Sequence, residues 1–383
     1  MLQVPEQEED LALPTPVGPS TPSENLEAPS PYSICSWTIP RLAAELRCMG
    51  VPFLTTARKA KLYLSPTPVL PSQWEHPNNR TIIKEFRILG FENIHNIKIM
   101  LFLLFLVSYI VTLSANSMII SLVVTSPYIS SPMYFFLSHL SITDILLTTT
   151  IVPGMLHITL MEGITMSLAG CFIQFYFVSI FAAAECLLLT VMSYDRYLAI
   201  CNPLRYASIM DLTLCIYLGI LSWALGILVA LPHVLILSQM TFCGSNIIDH
   251  FFCDLVPILN LSCTKDMANE IVTIVLSTLL TLFPFAFITM TYISIFLTIL
   301  QISTINERQK AFSTCSSHLT VVCLYYGTLV CNYLVPSNKE YLGLQKLVSM
   351  LYTIVTPLLN PIIYSLRNKH IRGAVIQLFL KRK

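Results

Sequence analysis

Seven stretches of this chain are apolar enough and long enough to cross a lipid bilayer, and this pattern constrains the fold more than any other feature. They run over residues 98–123, 133–159, 171–200, 213–237, 270–300, 311–336 and 344–366. Each lies near or above the ~20 residues a helix needs to span the hydrocarbon. Lipid offers no partner to backbone N–H and C=O groups, so each stretch must satisfy its own, as a helix does. Composition agrees. Of 383 residues, 55% are hydrophobic and 11% charged, against about 25% charged in soluble domains. The expected fold is an all-α membrane protein, a seven-transmembrane helix bundle.

The same composition excludes several functions. A net charge of +1 gives no basis for nucleic-acid binding. The twelve cysteines are scattered, with no CxxC and no Cys/His spacing suited to zinc. Glycine is scarce and no phosphate-cradling loop is present. No cofactor is expected. Ser316 and His318 suggest a nucleophile and base, but residues two apart on a helix face different ways, and no orienting acid is near. The chain does not read as an enzyme.

Residues 1–95 differ from the rest. Thirteen of the 23 prolines fall there, beside Glu6, Glu8, Glu9 and Asp10. This is the composition of an atypically long, mostly disordered tail, and it lacks the order of a cleaved signal peptide. Residues 96–368 form the seven-helix domain. Residues 369–383 are basic, with Ile371, Val375, Leu378 and Phe379 spaced for a short amphipathic helix lying on membrane lipid. Asn79-Arg80-Thr81 is a glycosylation sequon before the first span. With that end outside, Arg196, Arg205, Arg308, Lys310, Arg367 and Lys369 fall on the cytoplasmic side, as positive-inside requires. The carboxyl terminus is then cytoplasmic, and the chain a multi-pass plasma-membrane protein.

Polar residues inside the spans mark where the chemistry lies. Asp144 and Glu185 are carboxylates at membrane depth, which must face the bundle interior and share a proton, a cation such as sodium, or hydrogen bonds from Asn116 and Asn360. Pro357 and Pro361 interrupt the last span just before Tyr364, which bends a helix and frees its carbonyls. Asp195-Arg196-Tyr197 closes the third span, ahead of the helix-ending Pro203. Cys171, Cys243, Cys253 and Cys263 lie on the outer side, where disulfides persist, and four cysteines allow three pairings.

Met192–Tyr206 closely resembles the MAYDRYVAICNPLHY signature of vertebrate olfactory (odorant) receptors, a branch of the rhodopsin-like G-protein-coupled receptors. Lys310–Leu319 is similar to that family's KAFSTCxSHL, Pro357–Tyr364 to its PMLNPxIY, and Cys243–Asp254 to its CGxNxIDHFFCD. The resemblance covers roughly residues 79–380. Departures are mild, except that Ser130 stands where the family's LHTPMY has His, which bears on coupling efficiency. The family's amino-terminal tail is short, so an upstream start or unusual exon explains the extra residues here as well as a functional domain does.

The resemblance implies disulfides Cys171–Cys253 and Cys243–Cys263, and a glycan on Asn79. It implies an inner ion or polar site at Asn116, Asp144 and Glu185, where a sodium ion at Asp144 and Glu185 is the only metal expected. It implies a coupling and switching set of Asp195, Arg196, Tyr197, Tyr292, Lys310, Ser313, His318, Asn360, Pro361 and Tyr364. A ligand pocket between helices three, five, six and seven would take Phe175, Val178, Ser179, Ala182, Tyr326, Leu329, Tyr333 and Thr353. These carry no charge, so a small, neutral volatile fits better than an amine or a carboxylate. The partners implied are a small-molecule odorant and the olfactory stimulatory heterotrimeric G protein, raising cyclic AMP. The alternatives are a polytopic transporter, which the absence of an internal repeat disfavours, and a receptor-like chain that does not signal.

Overall fold

The computed structural model describes residues 83–91, 96–125, 131–161, 163–243, 245–263, 267–334, 342–367, 371 and 373. Asn79, Ser130, the side chains of Lys310 and Tyr333, and nearly all of the tails 1–95 and 369–383 lie outside this description.

The elements run β1 (Glu85–Ile88), α1 (Lys98–Thr125), α2 (Pro132–Met161), β2 (Ile164–Ser167), α3 (Leu168–Cys201), α4 (Pro203–Ile209), α5 (Leu212–Gln239), β3 (Ile247–Ile248), α6 (Leu255–Leu259), α7 (Met267–Gln301), α8 (Ile305–Leu334), α9 (Leu342–Met350), a π-turn (Leu351–Val355) and α10 (Thr356–Arg367). Among the described residues, seven helical segments are long and apolar enough to cross a membrane. They are α1, α2, α3, α5, most of α7 and α8, and the α9–α10 unit. α3 is the most enclosed, burying Phe175, Ala184, Leu188, Leu189 and Met192. α1, α5 and α7 turn Leu103, Val107, Ile220, Leu228, Phe283 and Met290 outward. So wide an apolar exterior is unstable in water and fits lipid.

Local chemistry sets the helix ends. Ser167 caps α3 through the Gly170 N–H at 3.1 Å, and Asp211 caps α5 through the Leu214 N–H at 2.8 Å. α3 stops at Cys201, and Pro203 opens α4, a position where its missing N–H is harmless. α3 and α5 approach closely at Gly226, where a Cβ would lie 3.0 Å from the Ile180 carbonyl oxygen. Small residues allow such contact between membrane helices.

Each in-span proline frees a carbonyl four residues earlier, and two of these are recaptured across the bundle. Pro361 frees Pro357 O, which accepts from Asn116 Nδ2 at 3.1 Å. Pro284 frees Leu280 O, which accepts from the Cys186 thiol at 3.6 Å. The π-turn lies just ahead of Pro357, where the Thr356 hydroxyl donates to Leu351 O at 3.0 Å. The bend expected from the two prolines is thus joined by a widened turn, a feature common at functional sites.

A small sheet, not anticipated from the sequence, closes one end. Its order is β2-β1-β3, antiparallel between β1 and β2 and parallel between β1 and β3. Alternation along β1 buries Phe86 and Ile88 and exposes Glu85 and Arg87. The Phe86 ring meets Phe242 edge to face at 5.3 Å. The Cys171–Cys253 and Cys243–Cys263 disulfides both form at this end.

Candidate functional site

A cavity of about 180 Å³ opens among α3, α5, α7, α8 and the loop before α6. α3 contributes Phe175, Ser179, Ala182, Ala183 and Cys186. α5 contributes Val229, Ala230 and His233, and α7 contributes Ser277, Leu280 and Thr281. Tyr325 and Leu329 come from α8, and Asp254 and Leu255 from the loop and the start of α6. An apolar cavity of about 150 Å³ accommodates benzene, so this one suits a molecule of that order.

Of the pocket residues expected from the sequence, Phe175, Ser179, Ala182 and Leu329 line the cavity. Val178 instead packs with Phe181 and Ile151. Tyr326 turns its hydroxyl to Cys186 Sγ at 3.1 Å and its ring to Phe285 at 4.9 Å. Thr353 bonds Ser349 O at 2.7 Å within the seventh span. The fourth span, not the seventh, supplies the remaining wall. Asp254 and His233 also line the cavity, and the sequence marks neither, because one reads as a loop acid and the other as an isolated histidine. Asp254 adds a carboxyl to a lining that the sequence reading left without a charge. Its carboxyl accepts from the Leu255 N–H at 2.8 Å, and burial raises its pKa from the ordinary aspartate value, against that bond.

Midway along the bundle, Asn116, Asp144, Glu185 and Asn360 are almost fully buried. Asn360 Nδ2 donates to both oxygens of Asp144 at 3.2 Å and reaches Glu185 Oε1 at 3.5 Å. Two carboxyls sharing one donor need a proton or a cation between them. Asn116 Oδ1 and Asn360 Oδ1 are buried acceptors with no donor among the described residues. Two carboxyls beside two orphaned amide oxygens fit a hard cation or a shared proton.

At the end opposite the sheet, Arg196 pairs with Asp195, its Nε donating to Oδ2 at 2.8 Å. The Tyr206 hydroxyl of α4 donates to the other oxygen at 2.8 Å. Burial, then Asp195, raises the pKa of Tyr206, so it stays a donor. Tyr197 packs against Ile295, Ile299 and Cys315. Tyr292 and His318 meet through the phenol oxygen and Nδ1 at 2.6 Å. Ser313 is exposed at the start of α8. The Tyr364 hydroxyl is buried with no partner among the described residues. Such an orphan costs about 1–3 kcal/mol.

At the sheet end a buried cation holds three segments together. Lys346 of α9 pairs with Asp249 and donates to Gly90 O at 2.6 Å. Beside it, His250 stacks on Phe251 at 4.6 Å and bonds the Ser349 hydroxyl at 3.3 Å. Replacing Lys346 by Met leaves the Gly90 carbonyl and Asp249 without a partner. The expected loss is about 1–2 kcal/mol, because Asp249 keeps some water. In a thermal melt of the detergent-purified protein this appears as a drop of a few degrees. An unchanged melt would show that the clamp contributes nothing.

Burial, aided by Lys346, pushes His250 down to about 3. In the unfolded chain it titrates near ~6.5. Between those values the unfolded state binds a proton that the folded state refuses. Stability is therefore complete above about pH 6.5 and declines as pH falls toward 3, by up to about 1.4 kcal/mol per unit. Melting curves at pH 7 and pH 5 should diverge, and His250→Asn should bring them closer. Equal divergence in the variant would assign the acid sensitivity elsewhere.

Comparison with known proteins follows the same outline. The sequence profile of a family described as "Olfactory receptor" matches residues 105–382. Olfactory receptor 5G3 of Homo sapiens is 43% identical over 296 residues, 77% of this chain and 94% of that protein. Olfactory receptor 10A7 of Homo sapiens is 43% identical over 78% of this chain and 94% of its own length. Olfactory receptor 1E16 of Mus musculus is 41% identical over 80% and 97%. These relatives are receptors by name. With seven membrane-type helices and a match across them at this identity, the chain belongs to the olfactory receptor family.

Proposed function

We propose that this chain lies in the plasma membrane with its amino terminus outside, binds a small volatile molecule in the α3–α5–α7–α8 cavity, and activates a stimulatory heterotrimeric G protein to raise cyclic AMP. The single observation that carries this reading is the reach of α3. One rigid helix lines the cavity with Phe175, Ser179 and Ala182 and ends in the Asp195–Arg196 pair. A ligand that fits the cavity better in one arrangement of the helices shifts the population toward it, by no more than its difference in affinity for the two states.

In the signalling state Arg196 leaves Asp195, and Tyr292 and Tyr364 exchange their present surroundings for new partners. Tyr197, Lys310, Ser313 and His318 then border the G-protein face. Asp144, Glu185, Asn116 and Asn360 hold a shared proton or a sodium ion that favours the quiescent state, and Pro361 supplies the bend. Residues 1–95 form an outer tail glycosylated at Asn79, residues 96–368 the receptor domain, and residues 369–383 a cytoplasmic amphipathic tail on lipid.

The test is a cyclic AMP assay over an odorant panel, scored beside surface staining. Arg196→Ala should abolish most ligand-dependent cyclic AMP while surface level stays within about twofold. A full response from the variant would remove Arg196 from the switch. Silence of the wild-type chain at normal surface level would favour a receptor-like protein that does not signal.

A further inference from the structure

Two polar groups at one side of the cavity, Asp254 and Ser277, present acceptors to it. A carbonyl only accepts, so the 2.9 Å contact between His233 Nδ1 and Val229 O puts the ring hydrogen on Nδ1. In the neutral imidazole Nε2 then accepts, and the hydroxyl of Ser277, 3.1 Å away, is its donor. Ser277 has thereby spent its hydrogen and offers the cavity only lone pairs. Asp254 lines the same cavity. One of its oxygens takes the Leu255 N–H, and no cation pairs with it among the described residues. The Tyr325 hydroxyl is directed to Ala182 O at 2.9 Å, so its hydrogen is also committed. Thr281 donates its hydrogen to Ser277 O at 2.8 Å and Cys186 its own to Leu280 O at 3.6 Å, which leaves Ser179 as the one hydroxyl of the lining with no bond among the described residues, set in a wall that is otherwise largely Phe, Ala, Val and Leu.

We propose that this cavity selects small apolar molecules that carry a hydrogen-bond-donating head, an alcohol or an amine, over molecules of the same shape that only accept, with Asp254 and Ser277 receiving the head. The inference rests on the odorant-receptor reading and names its ligand class. Acceptors facing a ketone or an ether would lose water and gain nothing, whereas an O–H or N–H satisfies them. An ammonium would in addition pair with Asp254, and a hydroxyl would be received chiefly by Ser277.

Four probes of one skeleton test this: cyclohexanol, cyclohexylamine, cyclohexanone and methylcyclohexane. Each is titrated against the purified full-length receptor, with thermal stabilisation as the readout, and cyclic AMP is measured separately. Cyclohexanol, cyclohexylamine or both should stabilise at concentrations about tenfold or more below the ketone and the hydrocarbon. Ser277→Ala should bring the alcohol to within about threefold of the ketone, and Asp254→Asn should weaken the amine most. The amine alone would make Asp254 the anchor, and the alcohol alone Ser277. Equal midpoints for all four probes, no stabilisation by either donor, or a preference that survives both substitutions would overturn the proposal. If Asp254→Asn does not fold, Ser277→Ala still decides. A binding preference without cyclic AMP would count against the signalling reading and leave this one standing.

Discussion

Cys253→Ser should remove most of the receptor from the cell surface. The Cys171–Cys253 bridge joins the start of α3 to the loop that carries β3 and Asp254, across 82 residues. Both cysteines are fully buried. Closing a loop of this length restricts the unfolded chain by about 4–5 kcal/mol in the entropic model. Few membrane domains have that much stability to spare. The effect reaches further than the bond. Beside it, the Cys253 N–H donates to Gln174 Oε1 at 3.0 Å, and Gln174 Nε2 donates to Thr150 O at 3.1 Å. Freed of its staple, the loop would release the sheet and the acidic wall of the cavity together. Cys243→Ser opens a 20-residue loop, worth about 3 kcal/mol on the same scale, and should be milder. Surface staining of both variants beside wild type is the measurement. Normal staining of Cys253→Ser would show that packing alone holds the loop.

The second large effect is expected from Asn360→Leu. Asn360 is the shared donor for two carboxyls in the middle of the bundle. Leucine is similar in size and apolar, so packing is largely kept while both acids lose their donor. Breaking a buried polar network on one side costs about 3–5 kcal/mol. The damage should fall sharply when the acids are also removed, because the penalty belongs to the stranded groups rather than to the missing amide. Asn360→Leu should therefore melt far below wild type, and adding Asp144→Asn with Glu185→Gln should restore much of the difference. Simple additivity across this cycle would show that the three side chains do not act together.

What could be read from the sequence follows from what is local. Whether a segment spans is decided by its own apolarity and by bilayer thickness. The stretch 171–200 accordingly became Leu168–Cys201, and 98–123 became Lys98–Thr125. Asp144, Glu185 and Asn360 were legible as a group because charge at membrane depth has few places to go. The sheet was not legible. β1 pairs with β2 and β3 from far along the chain, and strands of four and two residues are too short to show a period.

The cavity lies between these extremes. Phe175, Ser179, Ala182 and Leu329 line it, but α1, α5 and α7 are apolar on nearly every side. No sequence period tells such a helix which face to turn inward. Rotation about its axis is set by contacts such as Gly226 against the Ile180 carbonyl. Asp254, outside every apolar run, is carried to the cavity by a disulfide-anchored loop. The number, length and order of the membrane helices were thus determined by the sequence alone, because each depends on the affinity of its own residues for lipid. Which side chains share the cavity, and which way their hydrogen bonds point, was decided only when those helices packed, because both depend on residues distant in the chain.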